Sequence, residues 1–206
     1  MALAKPQKIA QPANKGTQTN TMNTDLTGKL LIAMPGIGDP RFQRSVILVC
    51  AHSPEFAMGI VLNKPKMGVT LPEMLEELNI PMEIDVPKDV VLDGGPVKAD
   101  RGFVLHTDDV FAEGATLEID DTFCMTATHD ILIAIGSAPP RQSVMALGYS
   151  GWGAGQLEIE LADNAWLIGR PTNDLVFGRA YSEKWNLALT EIGIDSGHLQ
   201  VSPGHA

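Results

Sequence analysis

Residues 148–161, GYSGWGAGQLEIEL, set four glycines around a tyrosine, a serine and a tryptophan, and several kinds of site chemistry use such a run. A nucleophile elbow needs Gly-x-Ser-x-Gly, because its strained strand-to-helix turn has no room for side chains on either flank. Gly148-Tyr149-Ser150-Gly151 starts that pattern, but Trp152 occupies the fifth position and argues strongly against it. A dinucleotide fingerprint needs Gly-x-Gly-x-x-Gly, whereas Gly151, Gly153 and Gly155 are spaced by two throughout. A P-loop ends in Gly-Lys-Ser/Thr, and here Gly155 is followed by Gln156 and Leu157. Two readings survive. The glycines let the chain turn tightly around Trp152, or Gly155 opens a helix whose first amides face an anion.

Other residue types are suggestive only as lists. Cys124, His129 and Asp130 have the ingredients of a thiol triad, but His129 and Asp130 are adjacent on an expected helix, where neighbouring side chains diverge. Cys124 also lies in an apolar run with no cationic neighbour to activate it. The histidines at 52, 106, 129, 198 and 205 make no His-Glu-x-x-His, and Cys50 and Cys124 make no Cys-x-x-Cys, so no metal or cofactor is expected. One enzyme-like arrangement stays open: a site for a small anionic ligand built from the Gly94-Gly95 turn, Arg101, His106 and the Gly148–Gly155 loop. Arg101 would clamp the anion and His106 would act as general base. They are five residues apart, so on a regular strand they face opposite ways, and a shared site needs a bulge.

These residues need elements to hold them. The runs LLIAM (30–34) and SVILVCAH (45–52) read as strands covered on both faces, and AMGIVLNKP (57–65) as the return arm of a hairpin. Pairing Ala51 with Ala57 brings Arg44 beside Lys64, with Arg41 and Lys66 at the same open end, a basic corner for a ligand or partner. TLPEMLEEL (70–78) opens with a capping box from Thr70 to Glu73 and repeats Leu71, Met74, Leu75 and Leu78 at helical spacing. VVLD, RGFVLHT and ATLEIDDTFCMTAT supply further strands, with a turn at Asp120-Asp121. Thr128 caps a helix stopped by Gly136, and residues 156–162 lean helical, although Leu157, Ile159 and Leu161 also alternate as in a strand. Trp185, Ala188, Leu189 and Ile192 share one face of a last helix closed by Gly193. Strands and helices intermix without βαβ alternation, so the fold class is α+β.

The chain has 206 residues and a formal net charge of -10, from 25 acids against 15 bases. That charge repels nucleic acid at long range, and no helix-turn-helix with basic residues is visible, so direct nucleic-acid binding is not expected. No apolar run reaches the ~20 residues of a membrane span, and no secretory leader is visible. Residues 1–24 have little to bury and are expected to form a mobile tail before a single domain over 25–206. Two buried free thiols suit a reducing, cytoplasmic setting.

Several segments together resemble the YqgE/AlgH family of bacterial proteins: GKLLIAMPGIGDPRFQRSVILVCAHSPEFAMGIVLNKP, LDGGPVKADRGFVLHT, LGYSGWGAGQLEIEL, NAWL and the terminal GHA. They occur in the family's order from Gly28 to Ala206. The resemblance implies a single α+β domain with a bifurcated or barrel-like sheet surrounded by helices. It also implies a role as a transcriptional regulator, with no established catalytic residues to carry over. The family pattern at the glycine-rich stretch maps onto Gly148, Tyr149, Trp152, Gly155, Gln156, Leu157 and Glu158, moving the emphasis from Ser150 and Gly151 to Tyr149 and Trp152. The expectation is therefore a non-enzymatic regulatory or interaction module with a protein or small anionic partner.

Overall fold

In the computed structural model, which describes residues 25–199, the continuous apolar runs become strands buried on both faces. The expected tail over 1–24 and the terminal Gly204-His205-Ala206 lie outside the described residues. The strands are β1 (Leu30–Ala33), β2 (Val46–His52), β3 (Phe56–Val61), β4 (Pro65–Thr70), β5 (Val90–Asp93), β6 (Val97–Thr107), β7 (Thr116–Glu118), β8 (Phe123–Thr126), β9 (Ser143–Gly153) and β10 (Trp166–Gly169). The helices are α1 (Leu71–Glu77), α2 (His129–Ser137), α3 (Gln156–Ala162), α4 (Asn173–Phe177) and α5 (Lys184–Glu191).

The main sheet runs β10-β1-β2-β3-β9-β6-β8-β7. It forks at β9. On one edge of that strand, β3 pairs with residues 150–153 while β5 lies parallel to Ala146 and Leu147 and carries β4 outward. The other edge belongs to β6. The fold is thus α+β, with a mixed, mostly antiparallel sheet.

Three apolar clusters fill the faces. Leu30, Ile32, Val46 and Leu48 point toward α5, where Trp185, Ala188 and Leu189 are buried. Their sequence neighbours Leu31, Ala33, Ile47 and Val49 point the opposite way, toward Trp152, Leu157 and Trp166. This is why the two runs lack the alternation of a half-exposed strand. Around the β5 arm of the fork, α1 and α2 pack Leu75, Ile131 and Ile135 against Val91, Val104 and Met145.

Local signals held in most elements. Thr70 and Glu73 form the capping box, with the Thr70 hydroxyl 2.7 Å and its amide 3.0 Å from the Glu73 carboxylate. Residues 156–162 are helical, and Gly193 takes φ 76° after α5. Two expectations need correction. Gly136 does not stop α2, which runs on to Ser137; the glycine is there because the Pro81 carbonyl approaches too closely for any Cβ. The stretch from Gly148 is not yet a corner, since β9 continues to Gly153 and only Ala154-Gly155 turn the chain.

The β2–β3 hairpin pairs Ala51 with Met58 and His52 with Ala57, one step from the expected register. A bulge at Cys50 absorbs that step, so Val49 pairs with Gly59 and Ile47 with Val61. Beyond the bulge the hairpin follows the expected register toward Arg44 and Lys64. One extra residue on one strand has this effect.

Candidate functional site

The two glycine-rich segments meet, and what they build is a backbone crossing. Gly95 sits at φ 145° and Gly148 at φ 72°, conformations that L side chains rarely adopt. A Cβ on Gly94 or Gly148 would run into the carbonyl oxygen of the other segment, and one on Gly95 into the backbone of Tyr149. The Gly94 amide donates to Leu147 O at 2.8 Å, and its carbonyl accepts from Val61 N at 3.0 Å and the Ser150 hydroxyl at 3.4 Å. The turn thereby closes the fork between β3 and β5. Ser150 is fully buried, and each segment's main chain fills the space beside the other's glycines.

Tyr149 and Trp152 leave β9 on opposite faces. Tyr149 packs edge-on against Phe103 at 5.7 Å. Trp152 lies against Trp166 at 6.0 Å, and its indole N–H donates to Glu160 Oε2 at 2.9 Å. The Trp166 indole donates to the same oxygen at 2.7 Å, and Gln156 Nε2 reaches Oε1 at 2.8 Å. Gln156 also accepts the Gly153 amide at 3.1 Å, which fixes the start of α3 behind the left-handed Gly155. Each N–H aimed at a carboxylate is a charge-assisted bond of roughly 1.5–3 kcal/mol. Nearby, His52 Nδ1 accepts the Leu26 amide at 3.3 Å, which places the ring proton on Nε2, 2.9 Å from Glu158. This arrangement holds α3 and the chain entry onto the sheet.

The structure brings Arg41 and Lys64 of the basic corner together and turns Arg44 elsewhere. Arg41 grips Asp39 with its Nε 3.0 Å from each carboxylate oxygen. Lys64 donates to the Arg41 carbonyl, and its pKa is lowered, chiefly by burial. Arg44 turns away, and its guanidinium stands 5.2 Å over the Trp185 ring. Lys66 remains half-buried on β4, where residues 66–69 bulge out of the pairing with β5.

Arg101 and His106 also part company. Arg101 is exposed and covers the Phe103 ring at 5.5 Å, on the β6 face opposite His106. The register shift between Val97 and Gly102 takes in Arg101, but pairing is regular from Gly102 to His106, so Phe103, the ring that Arg101 covers, and His106 leave the strand on opposite faces. His106 is fully buried, with Nδ1 2.8 Å from Thr107 O and Nε2 2.9 Å from the Thr126 hydroxyl. Burial lowers its pKa, which keeps the ring neutral. The Cys50 thiol donates to Leu48 O at 3.5 Å, and burial pushes its pKa up to about 12, far from the range of a nucleophile.

Sequence reasoning missed other polar groups. Glu160 was signalled only by its i, i+4 spacing from Gln156. Lys184 is fully buried; its ammonium donates to Leu62 O at 3.0 Å and Val176 O at 3.1 Å and lies 5.1 Å over the Tyr181 ring. Desolvation alone lowers its pKa to about 8. Its signal was the i, i+4 relation to Ala188 on the apolar face of α5. On the far side of Tyr181 a cleft of about 430 Å³ opens between α2 and the α4–α5 junction, with Arg141 and Arg179 among its walls. Neither arginine lies in a recognisable motif.

A family model described as AlgH-like matches residues 30–197. A "UPF0301 protein" of Caulobacter vibrioides is 49% identical over 183 residues, covering 88% of this chain and 94% of the relative. A Bradyrhizobium diazoefficiens relative of the same description is 48% identical over 212 residues, covering 95% and 99%. The solution structure of the AlgH protein from Pseudomonas aeruginosa superposes with a TM-score of 0.70 at 36% identity, over 92% of this chain and all of that one. A Corynebacterium diphtheriae crystal structure shares the fold, with a TM-score of 0.63 at 17% identity over 80% and 85% of the two chains. Among the described residues no helix is long and apolar enough to cross a membrane. A sheet forked at β9, the Gly94-Gly95 crossing that closes it and the Trp152–Glu160 clamp are therefore the frame of a known fold, and the chain belongs to the AlgH-like family.

Proposed function

We propose that the protein is a non-enzymatic binding module, acting in regulation through a bound protein or small molecule and touching nucleic acid at most indirectly. One observation supports this: three side chains that suit catalysis, His106, Cys50 and Glu160, are taken up by the scaffold. His106 has both ring nitrogens in hydrogen bonds, the Cys50 thiol is held neutral by burial, and Glu160 receives three N–H donors. A general base or nucleophile needs a free lone pair within reach of substrate. A net charge of -10 disfavours phosphate backbones.

Native mass spectrometry of the freshly purified full chain tests the reading. The expected result is a stoichiometric adduct, either a metabolite or a co-purifying protein. Time-dependent consumption of a compound from a metabolite extract, at substoichiometric protein, overturns it. A salt-dependent gel shift with generic DNA removes the indirect-contact part.

A further inference from the structure

In the cleft beside Tyr181 the charged groups keep unused donors. Its volume of about 430 Å³ falls within the range of roughly 300–1,000 Å³ typical of small-molecule sites. Pro139, Pro140, Phe177 and Tyr181 line it together with Val144 and Met145 of β9.

Two guanidiniums reach it from separate segments. Arg179 spends a single nitrogen, Nη2, on Asp89, at 2.6 and 2.8 Å from its two oxygens. Arg141 gives Nη2 to Asp108 at 2.7 Å, and its Nε lies 3.5 Å from Asp109. A guanidinium carries five N–H donors in a planar fork, so Nη1 of both residues and Nε of Arg179 are left over. Each guanidinium is paired with a carboxylate before any ligand arrives. Tyr181 adds a phenol whose pKa is raised by burial and by Asp89, so it stays a donor at neutral pH.

The same carboxylates limit the ligand. Asp89, Asp108 and Asp109 stand against two guanidiniums, so a multiply charged phosphate meets a field that does not favour it. A singly charged group can take the free forks, and the remaining affinity must come from apolar burial between the prolines and the rings. We propose that this cleft binds a small organic monocarboxylate with a flat apolar body, its carboxylate on Arg141 and Arg179 and its body between Pro139-Pro140 and Phe177-Tyr181. The inference rests on the binding-module reading and gives that module a ligand class.

The test uses benzoate as probe, with benzamide and inorganic phosphate as controls, titrated at millimolar concentration into the ¹⁵N-labelled full chain. Saturable shifts are expected at the amides of Arg141, Gln142 and the Phe177–Tyr181 segment. Benzamide and phosphate should bind at least about tenfold more weakly, as should benzoate to R179Q, from the loss of a charge-assisted hydrogen bond. The dispersed spectrum of R179Q checks that it is folded, and R141Q provides an independent second variant. Absence of saturable shifts overturns the proposal. Benzamide binding as well as benzoate removes the arginines from it, and phosphate binding as well removes the apolar body. Native mass spectra of the R141Q/R179Q variant separate the two readings. An adduct retained there sinks this site and leaves the module standing, whereas turnover of a metabolite sinks the module and leaves benzoate binding untouched.

Discussion

Glu160 and Arg179 are both ionised groups held by hydrogen bonds, yet they end in opposite conditions. The carboxylate of Glu160 is met by two indoles and an amide, and its binding capacity is used inside the fold. Arg179 meets one carboxylate through one nitrogen and keeps the rest of its fork. The difference follows from position. Glu160 lies on α3 facing β9 and β10, where two packed indoles and a side-chain amide from its own helix meet it. Arg179 sits on a connection between two short helices, with solvent on one side. Prominence in the sequence and availability for binding are separate properties here, and the glycine-rich stretch has the first while the arginine cleft has the second.

The largest break in that contrast comes from Trp152→Ala, which removes a buried indole and one of the Glu160 donors. A loss of about 3–5 kcal/mol is expected by denaturant unfolding, with benzoate affinity unchanged in the folded fraction. Lys184, buried behind Tyr181 without a carboxylate partner, sharpens the comparison through pH. Its pKa falls from 10.5 unfolded to about 8 folded, so between those values the unfolded chain holds the extra proton and stability rises with pH. Relative to K184M, wild type should gain roughly 3 kcal/mol across that window, at about 1.4 kcal/mol per unit. A flat difference between the two unfolding curves rejects it.

Glu160→Gln keeps the shape and removes the charge. About 1–3 kcal/mol should be lost, and the indole N–H resonances of Trp152 and Trp166 should move together, because both bond the same oxygen. The smallest effect belongs to Arg179→Gln, whose ion pair with Asp89 is exposed and should contribute under about 1 kcal/mol. If its melting point instead drops as far as that of the Glu160 variant, the arginine is scaffold and the contrast disappears.

Much of the scaffold was legible because its signals are local. The capping box at Thr70, the amphipathic spacing in α5 and the two-sided apolar runs of β1 and β2 each depend on neighbours in sequence. Arg44 leaves the basic corner for a non-local reason. A correct register beyond the Cys50 bulge brought the backbones of Arg44 and Lys64 together, but the Arg44 side chain found Trp185, more than a hundred residues away. Gly94-Gly95 and Gly148 could each be read as a flexible turn, yet only the fold shows that each is small because the other passes over it. The arginine cleft was hidden altogether. Its walls come from residues near 84–90, 135–145 and 177–181, and no single window contains enough of them to form a pattern.

The fork at β9 also has a consequence for synthesis. That strand completes the pairing of β3, β5 and β6, all of which leave the ribosome before it. Until residue 153 emerges, three strands carry open edges of the kind that recruit other chains. The nascent protein therefore passes most of its elongation with its central position empty, and its safe assembly depends on one late segment arriving to fill it.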